Sequence, residues 1–237
     1  MAAIRHVLPL VALATALRAD PLGNARRAEE MLGPGVWTRL IRVTNTNPGR
    51  PYPARVHALV FELSGILWFY TDTDGTQSLS THLGTLERDK ADFSPLLPAI
   101  DRGFASWRAE DPGRAPPGEG RIPNGCFIES VSLLRRRLEA GGQASRPRLL
   151  SYYVRVAGRV RGHTVLQFMT DSGPMVLDPD APARPVPITP ADVDDAESCV
   201  GCLRGDVFRA RWLPLGDAFR GSGRPLASAA AGMRPRG

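Results

Sequence analysis

One stretch, residues 124–178, constrains this chain more than any other, because it sets Cys, His and Asp on three successive elements. Pro123-Asn124-Gly125-Cys126 reads as a turn opening a helix from Phe127 to about Ala140, with Asn124 as its N-cap. Gly162-His163 opens a strand that reaches Thr170, and Asp171-Ser172-Gly173 forms a turn. A second strand, Pro174 to Leu177, then ends on Asp178. Cys126 and His163 stand 37 residues apart (163 − 126), and His163 and Asp178 stand 15 apart (178 − 163). A hairpin turning at Ser172-Gly173 brings Asp178 back beside His163. Alternation puts His163, Val165 and Gln167 on one face, with Leu166 and Phe168 on the other. Phe127, Val131, Leu134 and Leu138 recur at helical spacing, a stripe that holds the helix on the sheet.

A thiol is a weak nucleophile until it ionises, and a helix N-terminus favours the thiolate through its dipole and unpaired amides. Cys126 therefore reads as a nucleophile, His163 as its base and later proton donor, and Asp178 as the group that orients the imidazole. The Cys126 amide, at the start of the helix, is one oxyanion donor. Asn124, Gln77 and Trp107 are candidates for a second, and Gly125 leaves room for a substrate backbone. Such chemistry needs no cofactor and no metal.

Asn124-Gly125-Cys126-Phe127-Ile128-Glu129-Ser130-Val131, Gly162-His163-Thr164-Val165-Leu166 and Val176-Leu177-Asp178-Pro179 together resemble bacterial transglutaminase-like cysteine peptidases of the papain-like superfamily. The resemblance covers residues 120–180, a quarter of the chain, and departs from some members in lacking an aromatic directly before the Cys. It implies an α+β fold in which a Cys-bearing helix packs on an antiparallel sheet carrying His and Asp. It also implies Cys126, His163 and Asp178 acting on a peptide or protein amide through an acyl-thioester, by hydrolysis or transfer.

Other readings stand beside this one. Each triad residue also has structural uses, so a non-catalytic extracytoplasmic interaction module on the same fold is the alternative. Asp72-Thr73-Asp74-Gly75-Thr76 follows an apolar strand and matches the first motif of haloacid dehalogenase-like, Mg-dependent phosphatases. That chemistry needs a lysine well downstream, and the only lysine, Lys90, comes 16 residues later (90 − 74). A turn after a strand accounts for the same string. Asp192, Asp194 and Asp195 offer a metal-binding group in a Pro-rich loop, and His57 and His82 lack ligand-spaced partners. Cys199-Val200-Gly201-Cys202 lacks the partners of a haem or zinc site, so an exported chain is expected to close it as a local disulfide, leaving Cys126 free.

The rest of the chain frames that region. Arg5, the apolar run Val7 to Leu13 and Ala14-Thr15-Ala16 read as a cleavable signal peptide over residues 1–19, which makes the mature protein periplasmic or secreted. The run is too short for a stable membrane anchor. Residues 20–215 read as a single domain with an N-terminal helix and hairpin extension. Asp20 to about Thr38 reads as a helix, and Val56 to Leu63 with Ile66 to Thr71 as a hairpin across Ser64-Gly65. Asp89 to Trp107 reads as largely helical, and Leu149 to Val156 and Val207 to Leu213 as strands. Residues 216–237, rich in Gly, Ala, Arg, Pro and Ser, read as a disordered tail. The net charge is +6, but it is spread arginine by arginine without interleaved aromatics, which argues against a nucleic-acid partner. The cluster Arg135-Arg136-Arg137 reads as a solvated helix face.

Overall fold

Asp20 accepts a hydrogen bond from the Gly23 amide at 3.1 Å and Pro21 fills the first helical position, so helix α1 runs Pro21–Leu32. Gly33, at φ 80°, ends it. The helix expected to reach Thr38 therefore stops short, because Gly33, Pro34 and Gly35 cannot continue it. The computed structural model describes residues 20–215 apart from 50, 81–91, 112, 114–116, 119, 142–143, 157, 204–205 and 214. The expected signal peptide, the tail, His82 and Lys90 all lie outside the described residues.

Strands β1 (Trp37–Asn45), β2 (Arg55–Leu63), β3 (Ile66–Thr71), β4 (Gly75–Ser80) and β5 (Phe104–Ala109) form one sheet in the order β4-β3-β2-β1-β5. Every neighbouring pair is antiparallel. The hairpin turn expected at Ser64-Gly65 is present, with both residues at positive φ. The helix expected over Asp89–Trp107 is not: its described part holds a 3-10 turn at Leu97–Ala99 and then β5. Pro95 and Pro98 lack the amides a longer helix needs, and burial of Phe104 and Phe93 holds the segment against the sheet.

The second sheet follows helix α2 (Cys126–Glu139). Strands β6 (Ser145–Val156), β7 (Arg159–Thr170), β8 (Gly173–Leu177), β9 (Val186–Pro187) and, after helix α3 (Ala196–Gly201), β10 (Val207–Leu213) take the order β10-β6-β7-β8-β9. These pairs are antiparallel too, with a bulge in β10 between Val207 and Ala210. The molecule is an α+β protein of two antiparallel sheets and few helices, with Cys126 opening one of them.

Helix α1 packs on the first sheet and on α2, and α2 packs on both sheets. Ala25, Ala28 and Leu32 of α1 and Ile128, Val131 and Leu134 of α2 pack with Leu59, Phe61 and Trp68 from the first sheet and Leu149, Leu166 and Phe168 from the second. Behind the first sheet, Val56, Ala58 and Val60 join Ile41, Val43 and Phe69 in another cluster. Behind the second, Leu150, Tyr152 and Val165 are covered by Cys199 and Val200 of α3. Strand β2 is thus buried on both faces, which explains its unbroken apolar run.

Helix α2 departs most from its one-sided stripe. All residues from Phe127 to Leu134 are buried, including Glu129, Ser130 and Ser132. A helix enclosed on all sides has no face on which a core truncation is harmless. We expect Ile128→Ala to cost about 3 kcal/mol of stability in urea denaturation, as for other buried aliphatic truncations.

Candidate active site

The start of α2 is fixed from several directions. The Ser130 hydroxyl donates to the Thr164 carbonyl at 2.9 Å, and the Arg137 guanidinium lies 4.5 Å from the Phe168 ring centroid. The helix therefore runs in the same direction as β7, with its N-terminal end level with His163. Arg137 and Arg135 are only partly exposed, and Arg135 also donates to the Glu30 carbonyl, so the arginine cluster packs more closely than a solvated face would.

Glu129 lies in the first turn with its side chain only 5% exposed. It accepts from Arg121 Nε at 3.1 Å, from Arg121 Nη2 at 2.5 Å and from the Ile122 amide at 3.3 Å. Arg121 Nη2 also stands 2.6 Å from Asp180 Oδ1. The buried Tyr70 hydroxyl donates to the Pro123 carbonyl at 2.8 Å. These groups were not singled out from the sequence, although an acid three residues after the Cys on the same helix was a signal for them.

Asn124 does not cap the helix as expected. The N-cap is Gly125, and no side chain caps there. Asn124 adopts φ 51°, and its amide donates to the Asp72 and Thr73 carbonyls at 2.8 Å each. It ties the β3–β4 turn to the helix start. Gly75, at φ 74°, permits that approach: a Cβ there would fall 2.5 Å from the Asn124 carbonyl oxygen. Gly125 is buried and lacks a Cβ because the Ile122 side chain occupies that space, so its role is packing rather than room for a substrate.

The structure brings the three expected residues together. His163 Nε2 lies 2.9 Å from Asp178 Oδ1, a diagonal contact in a hairpin whose register ends at Leu166 opposite Leu177. The same carboxylate oxygen accepts from the Asp180 amide at 2.8 Å. Cys126 lies close enough to the imidazole for its thiol to act on the charge state of the ring. The Tyr152 ring packs edge-on at 5.5 Å. Burial works against a charged His163, but hydrogen bonding and charge from Asp178 and Cys126 outweigh it and push its pKa up to about 10. Burial likewise opposes a charged Asp178, yet His163, the Asp180 amide and Arg121 together hold it below the usual carboxylate range.

His163, Asp178 and Asp180 present ligand atoms within 4.8 Å of one another. Arg121 is a fixed cation against Asp180, which opposes a dication at that point. None of the side chains weighed for a second oxyanion donor points to that task. Asn124 holds two carbonyls, Gln77 Nε2 donates to Tyr52 at 3.4 Å, and Trp107 Nε1 donates to Asp92 at 2.9 Å.

The remaining motifs have structural roles. Asp72 accepts from Asn24 at 3.2 Å and Asp74 from the Tyr52 hydroxyl at 2.6 Å, in a hairpin turn between antiparallel strands. Asp195 caps α3 through the Ser198 amide, and Asp194 pairs with Arg148 at 3.0 Å. His57 lies 3.6 Å from buried Glu110. The disulfide expected at Cys199 and Cys202 is not formed; all three cysteines are free thiols. Cys199 is buried within α3, whereas Cys202 lies just past the end of the helix as its C-cap and is exposed; burial pushes the Cys199 thiol up to about 11.

Comparison of the chain with protein-family models, curated proteins and solved structures returned no match. Among the described residues, no helix is long and apolar enough to cross a membrane.

Two outcomes follow for the site. Arg121→Ala leaves Glu129 buried without its cation and is expected to cost about 3 kcal/mol in urea denaturation. The His163–Asp178 pair stabilises the fold most between pH 3.8 and 6.5, the ordinary values of its two groups. The raised His163 contribution is lost as pH climbs from 6.5 towards 10, and the lowered Asp178 contribution is lost as pH falls through its depressed value. The stability gap between wild type and Asp178→Asn, measured across that range, is expected to be widest in the middle and to close at both ends.

Proposed function

We propose that this chain is an exported cysteine-dependent amide hydrolase or acyl transferase with a transglutaminase-like, papain-type core. The observation that carries the reading is the imidazole of His163, held by Asp178 at 2.9 Å and close enough to Cys126 for the thiol to raise its pKa. The order of elements supports it as well: a Cys-bearing helix, then His and Asp on paired antiparallel strands. The extracytoplasmic placement rests on the sequence of residues 1–19.

In the reaction, the thiolate sulfur of Cys126 attacks the carbonyl carbon of an amide, and the C=O electron pair moves to oxygen. The amides at the start of α2 face this developing negative charge, aided by the helix dipole. The tetrahedral species collapses as the C–N bond breaks, and the His163 imidazolium gives its proton to the departing nitrogen. An acyl-thioester remains. Neutral His163 then takes a proton from water as the water oxygen attacks, and the thiolate leaves. Asp178 keeps the imidazole oriented through both stages. Water is the default acceptor, which favours hydrolysis over crosslinking.

The test is the pH dependence of iodoacetamide labelling at Cys126, mapped by mass spectrometry. Rapid labelling is expected at about pH 6, where an ordinary thiol is almost wholly protonated, and His163→Ala should slow it by about tenfold or more. Labelling that rises only near pH 8.5, the ordinary thiol value, and ignores His163→Ala would remove the enzyme reading and leave a binding role for the fold.

A further inference from the structure

The first sheet carries an open concavity of about 480 Å³, lined in part by Trp107 and Ala54, which holds three arginines and none of the triad residues. Its border includes Arg42 and Thr44 from β1, Arg55 from β2, and Ser106 and Arg108 from β5. Register explains why these groups meet. Arg42 lies directly opposite Arg108 on one side and His57 on the other, while Thr44 lies opposite both Arg55 and Ser106. Strand alternation sets Arg42, Thr44 and their partners on one face.

Like charges directly opposite across a sheet are destabilising. One of the three cations is compensated: Arg42 Nε stands 2.9 Å from Glu110 Oε1, on a carboxylate side chain only 5% exposed. That contact fixes the Arg42 guanidinium, which is itself only 18% exposed. Arg55 and Arg108 are exposed, and no carboxylate among the described residues pairs with either. Three guanidiniums against one carboxylate leave two positive charges uncompensated around a hollow.

We propose that this concavity binds a dianionic oxyanion of the phosphate or sulfate type. Arg42, braced by Glu110, supplies a fixed donor. Arg55 and Arg108 close on the anion from the neighbouring strands, and the Thr44 and Ser106 hydroxyls donate to its remaining oxygens. Planar guanidinium forks match such oxygens in pairs. A dianion neutralises both surplus charges and converts the Arg42–Arg108 repulsion into a shared attraction, whereas a carboxylate would compensate only one. The site is independent of the triad, so neither assignment depends on the other.

The experiment uses the purified full chain in a low-chloride buffer with radiolabelled inorganic phosphate in equilibrium dialysis, alongside thermal denaturation. Saturable, single-site binding is expected. Arg55→Gln and Arg108→Gln should each weaken it by about tenfold, the loss of one charge-assisted contact. Arg211→Gln, which removes the same charge from an exposed position on the other sheet, should leave it unchanged. Without phosphate, Arg108→Gln should melt at or above wild type, because repulsion is relieved; saturating phosphate should reverse that order. Phenyl phosphate distinguishes the sources: tighter binding than inorganic phosphate identifies a phosphate ester as the ligand, and equal binding identifies the free anion. Absence of saturable binding, or an equal loss in Arg211→Gln, would overturn the site and leave only diffuse positive charge.

Discussion

A carboxylate enclosed in an apolar core must be paired, and Glu129 is such a group. Its partner, Arg121, comes from the loop that leads into α2, so the pair anchors that loop to the first turn of the helix. The same guanidinium reaches Asp180, two residues beyond Asp178. One cation thereby joins the segment that presents Cys126 to the turn that presents the carboxylate behind His163. Neither Glu129 nor Asp180 has to touch Cys126 or His163 for the placement of both to depend on them. The Ser130–Thr164 hydrogen bond completes the frame by fixing the helix along β7.

The surroundings of α2 explain why this bracing is needed. The helix lies between two sheets, and its N-terminus is approached by the β3–β4 turn through Asn124 and by Tyr70 through the Pro123 carbonyl. Loops without such ties would leave the thiol free to drift by more than a hydrogen bond tolerates. The burial that raises the cost of charge also strengthens the Asp178–His163–Cys126 chain, because low local dielectric amplifies whatever pairing survives. The helix that opens with Cys126 is therefore also part of the core, through Phe127, Ile128, Val131 and Leu134.

Much of this frame is legible in the sequence, and its gaps have physical causes. The β7–β8 hairpin could be read because strand alternation and an Asp-Ser-Gly turn agree on one register, and that register delivers Asp178 to His163. Strand β1 is hidden because the helical spacing before Gly33-Pro34-Gly35 runs straight into it in the sequence, although those three residues end the helix. The segment near Trp107 looked helical although its prolines and its packing on Phe93 favour an extended chain. Asn124 looked like a cap because caps are local. Its actual partners are carbonyls some fifty residues away in sequence, which no local pattern contains. Cys199 and Cys202 look like a pair by spacing, but Cys199 is buried within α3 while Cys202 lies exposed just past its end.

Strand β10 forms one edge of the second sheet, and an open edge is a template on which a further strand can add. Its bulge between Val207 and Ala210 interrupts the regular row of donors and acceptors, and Arg209 holds φ 147° within it. Arg209 and Arg211 are both exposed along the same edge. A neighbouring copy would have to match an irregular backbone while bringing like charges into contact. The geometry that bends this strand thus also makes its edge a poor template for a further strand.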